Sequence, residues 1–215
     1  MNWSLNELEA LARKAARGAG YGWGLAEEAG KATRWLSAVG LSGPEALLGL
    51  LNSVERARPT ILAEHTPTIH DRVCSSQSGT LCPLLTGAAL CDGALHDGTP
   101  EDLSFIGVLA PLMLLPFVAE TFGNVSVRWA KLHISVQQGV VSFWGPASDL
   151  LCPSGTVVVL TAPYTESGSN LPTQRRATLN KATYSNLTAY AHRTFAPATE
   201  ASRQAGAGAD LSDND

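Results

Sequence analysis

Val125-Ser126-Val127-Arg128-Trp129-Ala130-Lys131-Leu132-His133-Ile134-Ser135-Val136-Gln137-Gln138-Gly139-Val140-Val141-Ser142-Phe143 is the stretch whose reading decides the fold. Its β-branched and aromatic runs, 125–129, 132–136 and 140–143, are separated by turn residues, the pattern of consecutive strands. Leu132, Ile134 and Val136 alternate with Lys131, His133 and Ser135, the two-residue period of a strand with one face in a core. Gln137-Gln138-Gly139 reads as a hairpin turn between two of these strands. Ser104–Leu109 and Thr156–Thr161 are further β-rich runs on either side, and Arg175–Leu179 reads as one more strand.

Away from this sheet the period changes to that of helices. Ser4 with Glu7 forms a capping box, after which Leu5, Leu8, Leu11, Ala12, Ala15 and Ala16 share one face until Gly18 and Gly20 stop the helix. A second helix is predicted from about Leu25 to Val39, with Leu25, Ala29, Ala32, Leu36 and Val39 inward, Gly30 permitting close helix contact, and Glu27 pairing with Lys31 one turn on. Ser42, Pro44 and Glu45 open a third, bearing Leu47, Leu48, Leu50 and Leu51. A short helix is predicted from Pro83 to Cys91, and Asn180 caps a closing helix that carries Ala182, Leu187, Tyr190 and Ala191. The expectation is an α+β fold: a helical N-terminal layer packed on a mixed or mainly antiparallel sheet, with a C-terminal helix. One domain is expected over residues 1–205 (helical layer about 4–54, sheet region about 60–179, closing helix about 180–194), followed by a tail at 206–215.

The composition narrows the function classes. In 215 residues, 16% are charged and 45% hydrophobic, with a mean hydropathy of +0.04, so the chain can build a core and is not predominantly disordered. A net charge of −4 removes the cationic footprint that phosphate-neutralising proteins need, so no nucleic-acid partner is expected. Leu103 to Ala119 is uncharged, yet shorter than the roughly 20 residues of a membrane span and interrupted by Pro111 and Pro116, so it is read as core and no membrane is expected. Acidic residues stand near the start, where a secretory signal needs a basic stretch and an apolar run. The four cysteines are therefore expected to be reduced, in a cytoplasmic protein.

Ser4-Leu5-Asn6-Glu7-Leu8-Glu9, Lys14-Ala15-Ala16-Arg17-Gly18-Ala19-Gly20, Trp23-Gly24-Leu25-Ala26-Glu27-Glu28-Ala29-Gly30 and the ending Arg193-Thr194-Phe195-Ala196-Pro197 to Gly206-Ala207-Gly208-Ala209 together resemble an uncharacterised family of small bacterial cytoplasmic proteins, domain-of-unknown-function family 3726. The resemblance spans nearly the whole chain. It implies no activity, cofactor or catalytic residue, so the candidate sites stand on their own chemistry.

His65, His70-Asp71-Arg72, Cys74, Cys82, Cys91-Asp92 and His96-Asp97 hold the densest set of reactive side chains. Thiolate and imidazole would suit zinc, but the cysteine spacings are wider than the usual close pairs, and no metal is expected. Cys82 stands before Pro83, which as the first residue of a helix would put the thiol at a helix N-terminus, where the macrodipole favours thiolate. His70 and Asp71 would then serve as base and orienter in a thiol-based transfer. The plainer reading makes Cys82 a small core hydrophobe and His70 and Asp71 loop hydrogen-bond partners.

Of the adjacent Glu27 and Glu28, one should stand near the core boundary and could project into a cleft with Arg34; Glu28 and Arg34 are the candidate ligand-binding pair. Arg176 and Arg193, each in a basic pair near the closing helix, are further candidates for a carboxylate or phosphate. Gly18-Ala19-Gly20-Tyr21-Gly22-Trp23-Gly24 precedes a helix and could cradle an anion, but it follows no strand and is not a dinucleotide fingerprint; close helix packing explains it more simply. No cofactor motif is present. Two functions fit: a cytoplasmic enzyme or enzyme subunit acting on a small polar metabolite between helices and sheet, or a non-catalytic binding or assembly protein that partners an enzyme, as a homo- or hetero-oligomer.

Overall fold

The computed structural model describes residues 2–57, 64–95, 102–160 and 168–194. The chain opens with strand β1 (Asn2–Ser4) and the helices α1 (Leu5–Gly18), α2 (Trp23–Ala38) and α3 (Gly43–Ala57). Ser4 caps α1 as its sequence requires: the Glu7 amide donates to Ser4 Oγ at 3.2 Å, and the Ser4 amide donates to the Glu7 carboxylate at 2.8 Å. That reciprocal box satisfies amides that a helix start leaves unpaired. Leu8, Ala12, Ala15 and Ala16 are fully buried on one face of α1. A Cβ at Gly30 would stand 3.0 Å from the Glu9 carbonyl oxygen, so α2 closes tightly on α1 there. Lys31 pairs with Glu28 at 2.7 Å and not with the expected Glu27.

The hairpin of β2 (Thr68–His70) and β3 (Val73–Ser75) follows, then α4 (Pro83–Cys91), β4 (Leu103–Leu109), α5 (Leu115–Phe122), β5 (Val125–Trp129), β6 (Leu132–Gln137), β7 (Val140–Trp144), β8 (Ser154–Leu160), β9 (Ser169–Asn170), β10 (Arg176–Thr178) and α6 (Lys181–His192). Eight of these strands form one mixed sheet, in the order β2-β3-β4-β8-β5-β6-β7-β9, in which the β3–β4 pairing alone is parallel. This is the expected α+β class. The β6–β7 turn lies where the sequence puts it, with Gln137 opposite Val140 and positive φ at Gln138 and Gly139, the conformation of a tight two-residue hairpin.

Three features depart from the sequence reading. The apolar run from Leu103 is broken by Ala110, whose φ is +40°, and by a 3₁₀ turn at Pro111–Leu114. It thus supplies an inner strand and a helix, and residues 110–118 are buried throughout. The strand expected at Arg175–Leu179 does not join the large sheet; as β10 it pairs with β1, a strand the sequence did not announce. Ser135, expected on a solvent face, is 3% exposed beside the equally covered Ser126, whose hydroxyl donates to it at 3.4 Å; the hydrogen bond offsets the cost of burying both hydroxyls.

Helices and sheet share one hydrophobic cluster, which runs from Ala12 through Leu50, Phe105 and Ile134 to Tyr190. Leu8, Ala177 and Leu179 form a smaller one beneath β1 and β10. No described helix is long and apolar enough to cross a membrane.

Candidate functional site

Helix α2 turns one stripe away from the core. Ala29, Ala32 and Leu36 are buried, while Glu28, Lys31, Trp35 and Ala38 recur at helical spacing along the neighbouring face and line a groove. The opposite wall is α5, through Pro116, Phe117 and Glu120, and the β6–β7 turn closes the end with Gln138 and Gly139. That turn is tied to the end of α5 by the Gln138 amide, which donates to Asn124 Oδ1 at 2.8 Å. The hollow measures about 670 Å³. A second, of about 470 Å³, adjoins it and shares Glu28, Lys31, Phe117 and Glu120 with it. Gly87 of α4 fixes the ring between them: a Cβ there would stand 2.3 Å from Phe117 Cγ, so only glycine lets α4 seat that ring.

Charge sits on the rim of the groove and apolar surface on its floor. Glu28 Oε1 holds Lys31 Nζ at 2.7 Å, and the Lys31 ammonium is stabilised above its ordinary pKa by Glu28 first, then by Glu27 and Glu120. Arg34 Nη1 reaches Glu9 Oε2 at 3.3 Å, bridging α2 to α1. Between these pairs lie Trp35, Pro116, Phe117 and Val136. A small molecule entering here meets a mainly apolar surface with orienting charges at its edge.

The structure brings Glu28 and Arg34 together on this groove, as their positions on one helix suggested. The expected thiol site is not assembled. Cys82 does cap α4, with Pro83 in the first turn, but it is fully buried. Desolvation pushes its pKa up, outweighing the nearby Tyr21 hydroxyl and the amides of Leu85 and Leu84, which act in the lowering direction. Its Sγ lies 3.5 Å from the Tyr21 hydroxyl. The thiol is carried inward because residues 79–82 dock on β4: the Leu81 amide donates to the Gly107 carbonyl at 3.0 Å, and the Leu109 amide to that of Leu81 at 2.9 Å. A Cβ on Gly107 (φ +67°) would stand 2.3 Å from the Gly79 carbonyl oxygen, so this docking requires glycine.

His70 and Asp71 stand at the tip of the β2–β3 hairpin, their side chains 90% and 88% exposed, and pair with each other at 3.0 Å. Side chains so exposed cannot serve a thiol sealed in the core. Asp71 and Arg72 have φ of +46° and +65°, so this is a turn that departs from the usual Asn-Gly chemistry.

Arg176 is far from the groove in role: its guanidinium donates to Asn2 Oδ1 at 3.0 Å and to the Asn2 carbonyl at 3.2 Å, and it lines a separate polar hollow with Ser42, Glu45 and Gln174. Arg193 pairs with Glu55 at 2.8 Å and stacks on Tyr190. Around the glycine-rich loop Arg17 donates to the Tyr21 carbonyl and stacks on Trp23; close packing accounts for Gly18, where a Cβ would fall 1.7 Å from the Tyr190 carbonyl oxygen, whereas Gly22 and Gly24 have open space around them and Gly20 serves a turn with φ of +103°. His65 is buried, with Nδ1 2.7 Å from the Thr80 carbonyl oxygen. Cys74, Cys82, Cys91 and Cys152 are all free. No group of three metal-binding side chains gathers among the described residues. His96, Asp97 and the tail lie outside those residues.

Sequence reasoning missed Trp35, Phe117, Glu120 and Gln138. Trp35 carried a signal, since it falls one and two turns beyond Lys31 and Glu28 on the same helix face; Phe117 and Glu120 lay in or beside a run read only as core.

Residues 3–79 match the model of a family described as a protein of unknown function, DUF3726. The match bears out the resemblance for the amino-terminal stretches, and it contains the α2 wall of the groove together with the β2–β3 hairpin. No curated protein and no solved structure matches the chain.

Proposed function

We propose that this chain is a bacterial cytoplasmic binding protein that takes up a small amphipathic molecule in the groove between α2, α5 and the β6–β7 turn. The observation that carries this reading is the groove itself. Its volume of about 670 Å³ falls within the roughly 300–1,000 Å³ of small-molecule sites, and its aromatic floor with a few charges at the edge has their make-up. The four free thiols support a reducing compartment, and the resemblance of the amino-terminal stretches supports a bacterial source. Catalysis of a metabolite's turnover has less support: among the described residues no serine, threonine, cysteine or histidine lines the larger hollow beside Glu28, Lys31, Arg34 and Glu120, Cys91 on the adjoining hollow has its pKa pushed up chiefly by desolvation, and Cys82 is buried.

Ala119 lines the groove, so Ala119→Trp would fill it. A metabolite panel screened by thermal shift should contain compounds that stabilise the wild-type protein and leave Ala119→Trp unmoved. A ligand at about 100 times its Kd adds about 2.7 kcal/mol to the folded state, a shift of several degrees. Equal shifts in both proteins would place binding elsewhere and refute the groove.

A further inference from the structure

The two hollows meet at Lys31, and charge is distributed unevenly between them. Around the smaller one Glu27, Glu28, Asp92 and Glu120 face a single cation, Lys31, among the described lining residues. The Lys31 ammonium lies 2.7 Å from Glu28 Oε1, on a side chain that is 63% exposed. Below it Leu25, Ala88 and Phe117 continue the apolar floor of the larger hollow toward Trp35. The structure therefore holds an apolar trough that opens into an acidic mouth, and a flexible ammonium of the protein's own already stands in that mouth.

We infer that the ligand is an amphipathic organic cation, an ammonium carried on an apolar body, whose charge displaces the Lys31 ammonium beside Glu28 and Glu120 while its body lies along Phe117 and Trp35. This deepens the small-molecule reading of the groove and rests on it. Aromatic faces add to the attraction for a cation above them. An anion would meet four carboxylates offset by the Lys31 ammonium alone, and the other cation of the rim, Arg34, is held by Glu9 at 3.3 Å. A bare metal ion is a poor occupant, because no three metal-binding side chains converge among the described residues and an apolar floor offers no oxygen ligands.

The test compares three probes with the same apolar body, octylammonium, octanol and octanoate, titrated below their aggregation limits against the full chain by calorimetry at low salt. Octylammonium should bind about threefold to tenfold tighter than octanol, with octanoate weakest, and added salt should narrow the gap. Lys31→Met should tighten octylammonium by about threefold, since it removes the competing ammonium, and Glu120→Gln should weaken it by a similar factor. Octanol or octanoate binding as tightly as octylammonium, or Lys31→Met weakening the amine, overturns the cation inference while leaving the groove as a binding site. If none of the three binds, the small-molecule reading falls as well.

Discussion

Replacing Cys82 by alanine separates a sealed thiol from a reactive one. The side chain has no solvent exposure, and its Sγ is 3.5 Å from the Tyr21 hydroxyl, on a side chain that is itself fully buried. Alanine removes the sulfur and leaves that buried hydroxyl without its partner. A buried polar group left unsatisfied costs about 1–3 kcal/mol, and a protein of this size loses about 2–4 °C of midpoint per kcal/mol. Cys82→Ala should therefore melt several degrees below wild type by calorimetry. Alkylation followed by site-resolved mass spectrometry gives an independent reading. All four thiols are pushed up by desolvation, so exposure sets the order: Cys91 first, then Cys152, with Cys74 and Cys82 last. If an opening of about 4 kcal/mol is needed to reach Cys82, its modification is slowed by about a thousandfold. Modification of Cys82 together with Cys91, or a Cys82→Ala midpoint equal to wild type, would refute burial and restore the nucleophile.

Gly18→Ala should destabilise the protein in urea by at least about 1–3 kcal/mol, because the added methyl would fall 1.7 Å from the Tyr190 carbonyl oxygen and must force α1 from α6; the roughly 1 kcal/mol gain in helix propensity does not offset this, and a stabilised variant would contradict the packing. Alkaline pH should also weaken the fold. Burial pushes the Cys74 thiol from 9.0 to about 11 and raises Cys82 and Tyr21 as well. Above pH 9 the unfolded chain releases thiol protons that the folded chain keeps, so stability falls as pH rises. The thermal midpoint measured across that range should drop, and drop less in a Cys74→Ala, Cys82→Ala background.

Local signals were legible and distant contacts were not. The Ser4–Glu7 box, the α2 stripe, Pro83 in the first turn of α4 and the Gln138-Gly139 turn each depend on a few neighbouring residues, and each is where the sequence puts it. Burial of Cys82 depends on β4, more than twenty residues away, and on the register shift of that strand between Phe105 and Val108, where Gly107 stands; nothing near Cys82 encodes it. The His70-Asp71 pair read as chemistry because its residue types are reactive, yet its positive-φ turn gives it a conformational role. For the site, helix geometry sufficed for Glu28 and Arg34. The opposite wall could not be inferred, because α5 was hidden in an apolar run whose division into strand, 3₁₀ turn and helix depends on Ala110 leaving the strand conformation.

The pairing of Asn2 with Thr178 makes the first strand the last to find its mate. At roughly 5–20 residues per second, a ribosome needs on the order of 10–35 s to deliver β10 after β1 has emerged. Throughout that interval Leu8 has neither Ala177 nor Leu179 to cover it. The amino-terminal helices thus wait with an adhesive side uncovered, and closure of this small clasp is a long-range event that local helix formation cannot complete alone. A nascent chain of this protein stalled before residue 176 would be a natural client for chaperones that hold apolar segments, and its release would be timed by synthesis of the far end.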